Sequence, residues 1–426
     1  MSITKIDFDH VIDESSNYII AEDGSYVIVN LVETDVESKG YKIELRDKDG
    51  NLRQYLTPFV SKVSWEWRRI GGCGRADITL DMDYRKIDFG PDDDIQIRIG
   101  SGTTSKLVYR GWIAKITPSL KIGQQIKLDV RGYFDKLIKL MVQDNGADKV
   151  YENYNILNIV TDLVDTYVTP NSDITKGTIG AGGYSPDTIT FKTSVKAALR
   201  TLADLEGQVE YGVDEDLNFF WTNQSDVLVR KWFVGNNVTK FERRINWDAL
   251  VNKIYFEGGE LSDGSKYIKT AEASDSQDSY FLAEKIEGNS SITTSSVADQ
   301  YLGSILRDKS KPQLEMRVSI ANTDIRLEDS IPLGKVAVAD ADYDQNLNIV
   351  GKTASGGSNL IVGRITSGGS NAIVGGIFKD QIELIKYKMS NTDERFNIDI
   401  TFGGTISESS ARIKQIELLL DSVRQR

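Results

Sequence analysis

The chain has 426 residues, with 63 Asp and Glu against 51 Lys and Arg, a net charge of −12. Its single histidine, His10, and single cysteine, Cys73, exclude an internal disulfide and a zinc site built from several Cys and His ligands. They also confine any Ser-His-Asp or Cys-His mechanism to His10, in an acidic N-terminal segment poorly suited to hold a positioned base.

The acidic balance opposes phosphate-backbone binding, which depends on clustered Lys and Arg. At this length two to four domains are expected. No apolar run is long enough to span a bilayer, and the N-terminus lacks the basic and apolar regions of a signal peptide. The expectation is a chain made in the cytoplasm with no membrane anchor of its own.

Residues 1–38 form an acidic arm with one hairpin signal, Tyr18-Ile19-Ile20 and Tyr26-Val27-Ile28-Val29 around Asp23-Gly24. A lone hairpin is marginal in water, so this one is expected to rest on another surface, such as a neighbouring subunit. Residues 39–132 carry dense strand signals: Tyr41 to Leu45, Val60 to Arg68, Ala76 to Met82, Ile95 to Ile99, Leu107 to Ile116 and Ile126 to Val130. Ile95, Ile97 and Ile99 alternate with Gln96 and Arg98, which predicts one buried and one wet face. The block reads as a barrel or sandwich.

The period changes over 133–237, an α+β insertion. Tyr133 to Val142 reads as one helix, and Ile156, Val160, Leu163 and Tyr167 mark a second. Val195, Ala198, Leu199, Leu202 and Ala203 mark a third, with Thr193 or Ser194 as its cap and Gly207 at its end. The Gly-, Ser- and Thr-rich stretch 169–187 is expected to be an exposed loop, followed by strands at Val209 to Val213, Leu217 to Trp221 and Leu228 to Val234. A second β block over 238–404 contains one helix near 294–308. Residues 405–426 read as a C-terminal helix whose Ile413, Ile416, Leu420 and Val423 fall on an a/d seam. These four are the candidate interface residues, equally able to pack on the chain's own barrel.

Residues 348–375 repeat a short apolar strand and a glycine-rich turn: Ile349-Val350-Gly351, Ile361-Val362-Gly363 and Ile373-Val374-Gly375, separated by two Ser-Gly-Gly-Ser-Asn segments. No helix follows and no Lys-Ser/Thr pair stands at P-loop spacing, so a structural hairpin extension is expected. Trp65 and Trp67 share a strand face, with Trp112 on a later strand. Such pairs can form a sugar platform but more often fill a core or interface. Gly71-Gly72-Cys73-Gly74 reads as a tight turn between strands. Asp92-Asp93-Asp94 reads as a solvated turn rather than a cation site. Asp340, Asp342 and Asp344 alternate as in a calcium loop but lack its glycine and its closing glutamate. No catalytic residue, cofactor or metal ligand is assigned.

The order of these pieces resembles the bacteriophage tail hub family, the baseplate hub and tail-associated proteins. The resemblance is carried by Trp65-Glu66-Trp67-Arg68 before Gly71-Gly72-Cys73-Gly74, by Tyr109-Arg110-Gly111-Trp112-Ile113, and by the helix ending in Glu206-Gly207 that feeds Val209 to Val213. Val251-Asn252-Lys253-Ile254-Tyr255-Phe256-Glu257-Gly258, Leu333-Gly334-Lys335-Val336-Ala337-Val338 and the closing hairpin Ile382 to Gly403 add to it, with Lys335 where the family carries an acid. It implies a mainly β fold with two tube-like barrel domains, short helices, and a homotrimer whose six barrels mate with hexameric tail-tube rings. The implied partners are tail tube and distal tail proteins and a central spike or fibre, with DNA only passing through the lumen. The implied location is the virion, and no enzymatic activity is expected. The rivals are a sixfold distal-tail ring protein and a glycan-binding or glycan-degrading receptor protein.

Overall fold

A computed structural model of the chain describes residues 18–20, 26–28, 41–82, 87, 89–90, 92–100, 105–119, 125–225, 228–233, 238–321, 335–339, 377–390 and 393–405. His10, the aspartates at 340, 342 and 344, the glycine repeat and the seam residues Ile413, Ile416, Leu420 and Val423 lie outside the described residues. The expected N-terminal hairpin is present: Tyr18–Ile20 pairs antiparallel with Tyr26–Ile28, with Ile19 opposite Val27. It forms a two-stranded sheet of its own.

The protein is mainly β. Strands form where β-branched and aromatic residues alternate with polar ones, and polar turns end them. Asp47 closes the first such turn, its Oδ1 accepting from the amides of Asp49 and Asn51, while Gly50 adopts a φ of +85°. One sheet of sixteen strands then runs through both β blocks. Its path goes from Val238–Asn246 through Gln313–Ala321, Asp393–Thr405 and Ile377–Ser390 to Val60–Arg68. It continues through Ile70–Leu80, Gln125–Arg131, Lys106–Ser119 and Asp94–Ile99 to Tyr41–Arg46 and Leu52–Tyr55. The two blocks join where Ile377–Ser390 pairs antiparallel with Val60–Arg68, placing Tyr387 opposite Trp65 and Ile385 opposite Trp67.

Two buried clusters follow. The first gathers Ile43, Val63, Trp65, Ile78, Ile95, Ile97 and Leu128 from the first block with Val238, Met316, Val318, Ile320, Tyr387 and Ile398 from the second. The second cluster belongs to the insertion and includes Ile156, Val160, Leu163, Leu199, Leu202, Phe219 and Trp221. Val251, Ile254, Phe256, Val297, Tyr301 and Leu302 also lie in it, so part of the stretch read as the second β block packs with the insertion.

Several local expectations are corrected. Tyr133–Lys139 is a 3₁₀ helix and not the first half of a longer one. Leu140 turns extended, its carbonyl accepts from the Val195 amide, and Met141–Val142 pairs with Thr193–Ser194. The loop expected at 169–187 contains the strand Thr175–Ile179, parallel to Asn218–Asn223, and Ala181 supplies the carbonyl that the buried Trp221 Nε1 donates to at 2.8 Å. That indole needs a partner once buried, and the loop provides it. The helix Val195–Glu206 is as expected: Ser194 Oγ accepts from the Ala197 amide and Gly207 ends it at a φ of +69°. Gln96 is buried, not wet. Its amide donates to Asp94, and the face it shares carries Glu44, Arg98 and Arg110 in one polar network.

Candidate functional site: a glycine seam and a basic cleft

The tryptophans pack against the chain itself, as the core-or-interface reading expects. Trp65 is fully buried and stacks on Tyr387, with ring centroids 4.9 Å apart and planes 10° apart. Trp67, half-buried, stacks on Phe220 of the insertion at 6.0 Å. The Trp112 ring is covered by the Nζ of Lys136 at 5.5 Å and of Lys139 at 5.0 Å. The strand Val60–Arg68 thus uses its two tryptophans to grip two different parts of the chain.

Gly71, Gly72, Cys73 and Gly74 do not form the turn. The turn is at Arg69, and the glycines lie within the strand Ile70–Leu80. The strand Val209–Val213 pairs parallel to its start, with Gly212 beside Gly71 and Val213 beside Gly72. A Cβ on Gly72, at φ +72°, would stand 2.0 Å from the Val213 carbonyl oxygen. One on Gly212 would stand 2.3 Å from the Gly71 carbonyl carbon, and one on Gly132 only 1.6 Å from the Cys73 carbonyl oxygen. Three backbones meet here at distances only glycine permits. This seam hooks the insertion onto the first β block. Cys73 is buried within it, and burial pushes its thiol up, away from nucleophilic reactivity.

Beside the seam opens a cleft of about 800 Å³ bounded by the first block, the insertion, the strand Glu284–Gly288 and the helix Ser295–Lys309. Eight of its lining residues are Lys or Arg and four are Asp or Glu, the reverse of the chain's overall balance. Lys196 is held by Asp135 and Lys285 by Glu287, whereas Arg131, Arg200 and Lys309 form no salt bridge with a described residue. Ile70 and Ile138 are exposed on its walls, at 43% and 61%. Asp204 lies in the same cleft. Burial raises its carboxyl to about 6, against the opposing pull of Arg200 and Lys309. Nothing in the sequence pattern marks this cleft, because its cations come from strand ends and helices distant in the chain.

The three consecutive aspartates separate. Asp94 is buried and accepts from Arg110 Nε at 2.6 Å and from Tyr133 Oη at 3.3 Å. Asp93 is buried, accepts from the Gly90 amide at 2.7 Å and lies 3.5 Å from Arg53. Only Asp92 is exposed, at φ +61°, pairing with Lys136 at 3.2 Å. The expected solvated turn is therefore a set of three differently paired acids. Among the described residues no group of three or more His, Cys, Asp or Glu is placed to hold a metal ion, and no helix is long and apolar enough to cross a membrane.

One exposed sheet face carries three apolar side chains among charged ones. In the three-stranded sheet of Lys266–Glu272, Lys253–Glu260 and Glu284–Gly288, Tyr255 pairs with Ile286, and Glu257 with Ile268. Ile268 is 64% and Ile286 71% exposed, rimmed by the Lys266–Glu257 and Lys253–Glu284 ion pairs. An apolar centre with a charged rim has the anatomy of an interface.

No family model matches the chain, and no curated protein matches its sequence significantly. Solved structures do match its fold. A tail protein from Neisseria meningitidis superposes with a TM-score of 0.55 at 12% identity, over 85% of this chain and 96% of that one. The 43 kDa tail protein of prophage MuSo2 from Shewanella oneidensis superposes with a TM-score of 0.55 at 15% identity, over 85% and 98%. At these identities the likeness concerns the fold, and over most of its length this chain has the fold of phage tail proteins.

Proposed function

We propose that the chain is the structural hub of a phage tail tip or baseplate: a non-enzymatic homotrimer that joins the hexameric tail tube to a central spike or fibre. The observation that carries this reading is the tail-protein fold across 85% of the chain, with both β blocks in one sheet. Two tube-like domains per chain make six around a threefold axis, which answers a hexameric tube. The glycine seam fixes the insertion's angle to the first block, as a part carrying axial load requires. The net charge of −12 favours a conduit from which DNA slides without sticking. Tyr255, Ile268 and Ile286 supply an apolar contact face for the neighbouring copy. The burial of Trp65 speaks against the glycan-receptor reading.

Native mass measurement tests this reading. Three copies are expected, and six would turn the reading toward a distal-tail ring.

A further inference from the structure

We infer that the basic cleft receives the acidic N-terminal segment, residues 1–38, of a neighbouring copy, an inference that rests on the ring reading above. Three observations carry it. The first is charge. The segment holds nine acids against one lysine, while the cleft is the place where eight basic residues converge on four acidic ones.

The second is chemical pattern. The segment mixes apolar and acidic residues, alternating in Ile6-Asp7-Phe8-Asp9 and paired in Val11-Ile12-Asp13-Glu14. The cleft presents the matching pair of surfaces, with Ile70 and Ile138 exposed on its walls and Arg131, Arg200 and Lys309 unbridged around them. A purely charged ligand would leave the two isoleucines in water, and a purely apolar one would bury the cations without partners.

The third is direction. Arg46, Asp94, Trp112 and Arg131 pair in one row across the first β block, and Arg131 lies at the cleft. Tyr41, where the chain enters that block, is five residues further along the same strand, about 17 Å from the row at strand rise. The chain therefore enters this block at the end of the strand away from the row that carries Arg131 at the cleft. Residues 29–40 alone reach about 40 Å when extended. Docking would also give the Tyr18–Ile20/Tyr26–Ile28 hairpin the surface that a two-stranded sheet lacks by itself.

Zero-length carbodiimide coupling on the full chain tests this, since it joins only carboxylates and lysines in direct contact. Equal amounts of ¹⁴N and ¹⁵N protein are refolded together, coupled and digested. Expected are links from Asp7, Asp9, Asp13 or Glu14 to Lys196 or Lys309, half of them isotopically mixed. They should fall at least tenfold in the Arg131→Glu/Arg200→Glu variant with its circular dichroism unchanged. Links confined to one isotope, or links from these acids only to other lysines, overturn the inference. Native mass on the same sample separates the failures. Three copies without the cleft links contradict the docking alone, and a monomer contradicts the ring and the neighbouring-copy docking with it.

Discussion

Trp65 and Tyr387 come from opposite ends of the chain, yet their rings lie stacked 4.9 Å apart on paired positions of adjacent strands. The contact closes the first block onto the second, and both rings are almost wholly buried. Burial pushes the Tyr387 hydroxyl above its usual pKa.

Each ring is therefore expected to stabilise the fold strongly. Trp65→Ala should cost about 3–5 kcal/mol through lost burial and the cavity left behind. In a double-mutant cycle with Tyr387→Ala, the stacked pair should show a coupling of about 0.5–1.5 kcal/mol. Urea unfolding of the four proteins measures it. Additive effects would mean that the two blocks are not joined through this pair.

Gly72→Ala and Gly132→Ala should each prevent soluble folding or cost about 4 kcal/mol or more, because the added carbon meets main-chain atoms that cannot swing aside. Gly303→Ala should do the opposite. That residue sits on the exposed side of the helix Ser295–Lys309 with nothing within 4 Å of the added carbon, so a gain of about 1 kcal/mol is expected. Thermal unfolding of the three variants checks the contrast.

The raised carboxyl of Asp204 makes a pH prediction. The folded chain holds this proton more tightly than the unfolded one, so between the ordinary carboxylate range and about 6 it binds more protons. Stability from this group is therefore greatest below pH 4 and is lost as pH rises through about 6. Asp204→Asn should stabilise the protein by about 2 kcal/mol at pH 8 and by little at pH 4. Equal effects at both pH values would contradict the burial argument.

Replacing Ile268 and Ile286 with Asp places charge at the centre of the open sheet face. Both side chains are exposed, so the thermal midpoint of the single chain should change little. Assembly should weaken at least tenfold, read by sedimentation at graded concentration. Unchanged assembly would remove this face from the ring contact.

Much of this fold was legible in the sequence because the patterns concerned are local. The Asn- and Asp-rich turns, the alternation of Ile95, Ile97 and Ile99, and the Ser194 and Gly207 ends of one helix each state their structure within a few residues. What was misread depends on distant partners. Gly71 and Gly72 look like a turn until Val209–Val213 is laid beside them, and Gln96 looks wet until Asp94 and Arg110 converge on its face. Trp65 reads more readily as core or interface than as platform, and the partner that covers it, Tyr387, lies too far along the chain to be read from the pattern. The cleft was invisible for the same reason, since Arg131, Arg200 and Lys309 share no sequence window.

A hub stands at the end of the tail tube. The direct measurement is its position in an intact particle, found by electron microscopy with a gold label on the chain. Three labels are expected at the host-facing end of the tube, on its axis. Labels along the tube, at the head, or on peripheral fibres would contradict it.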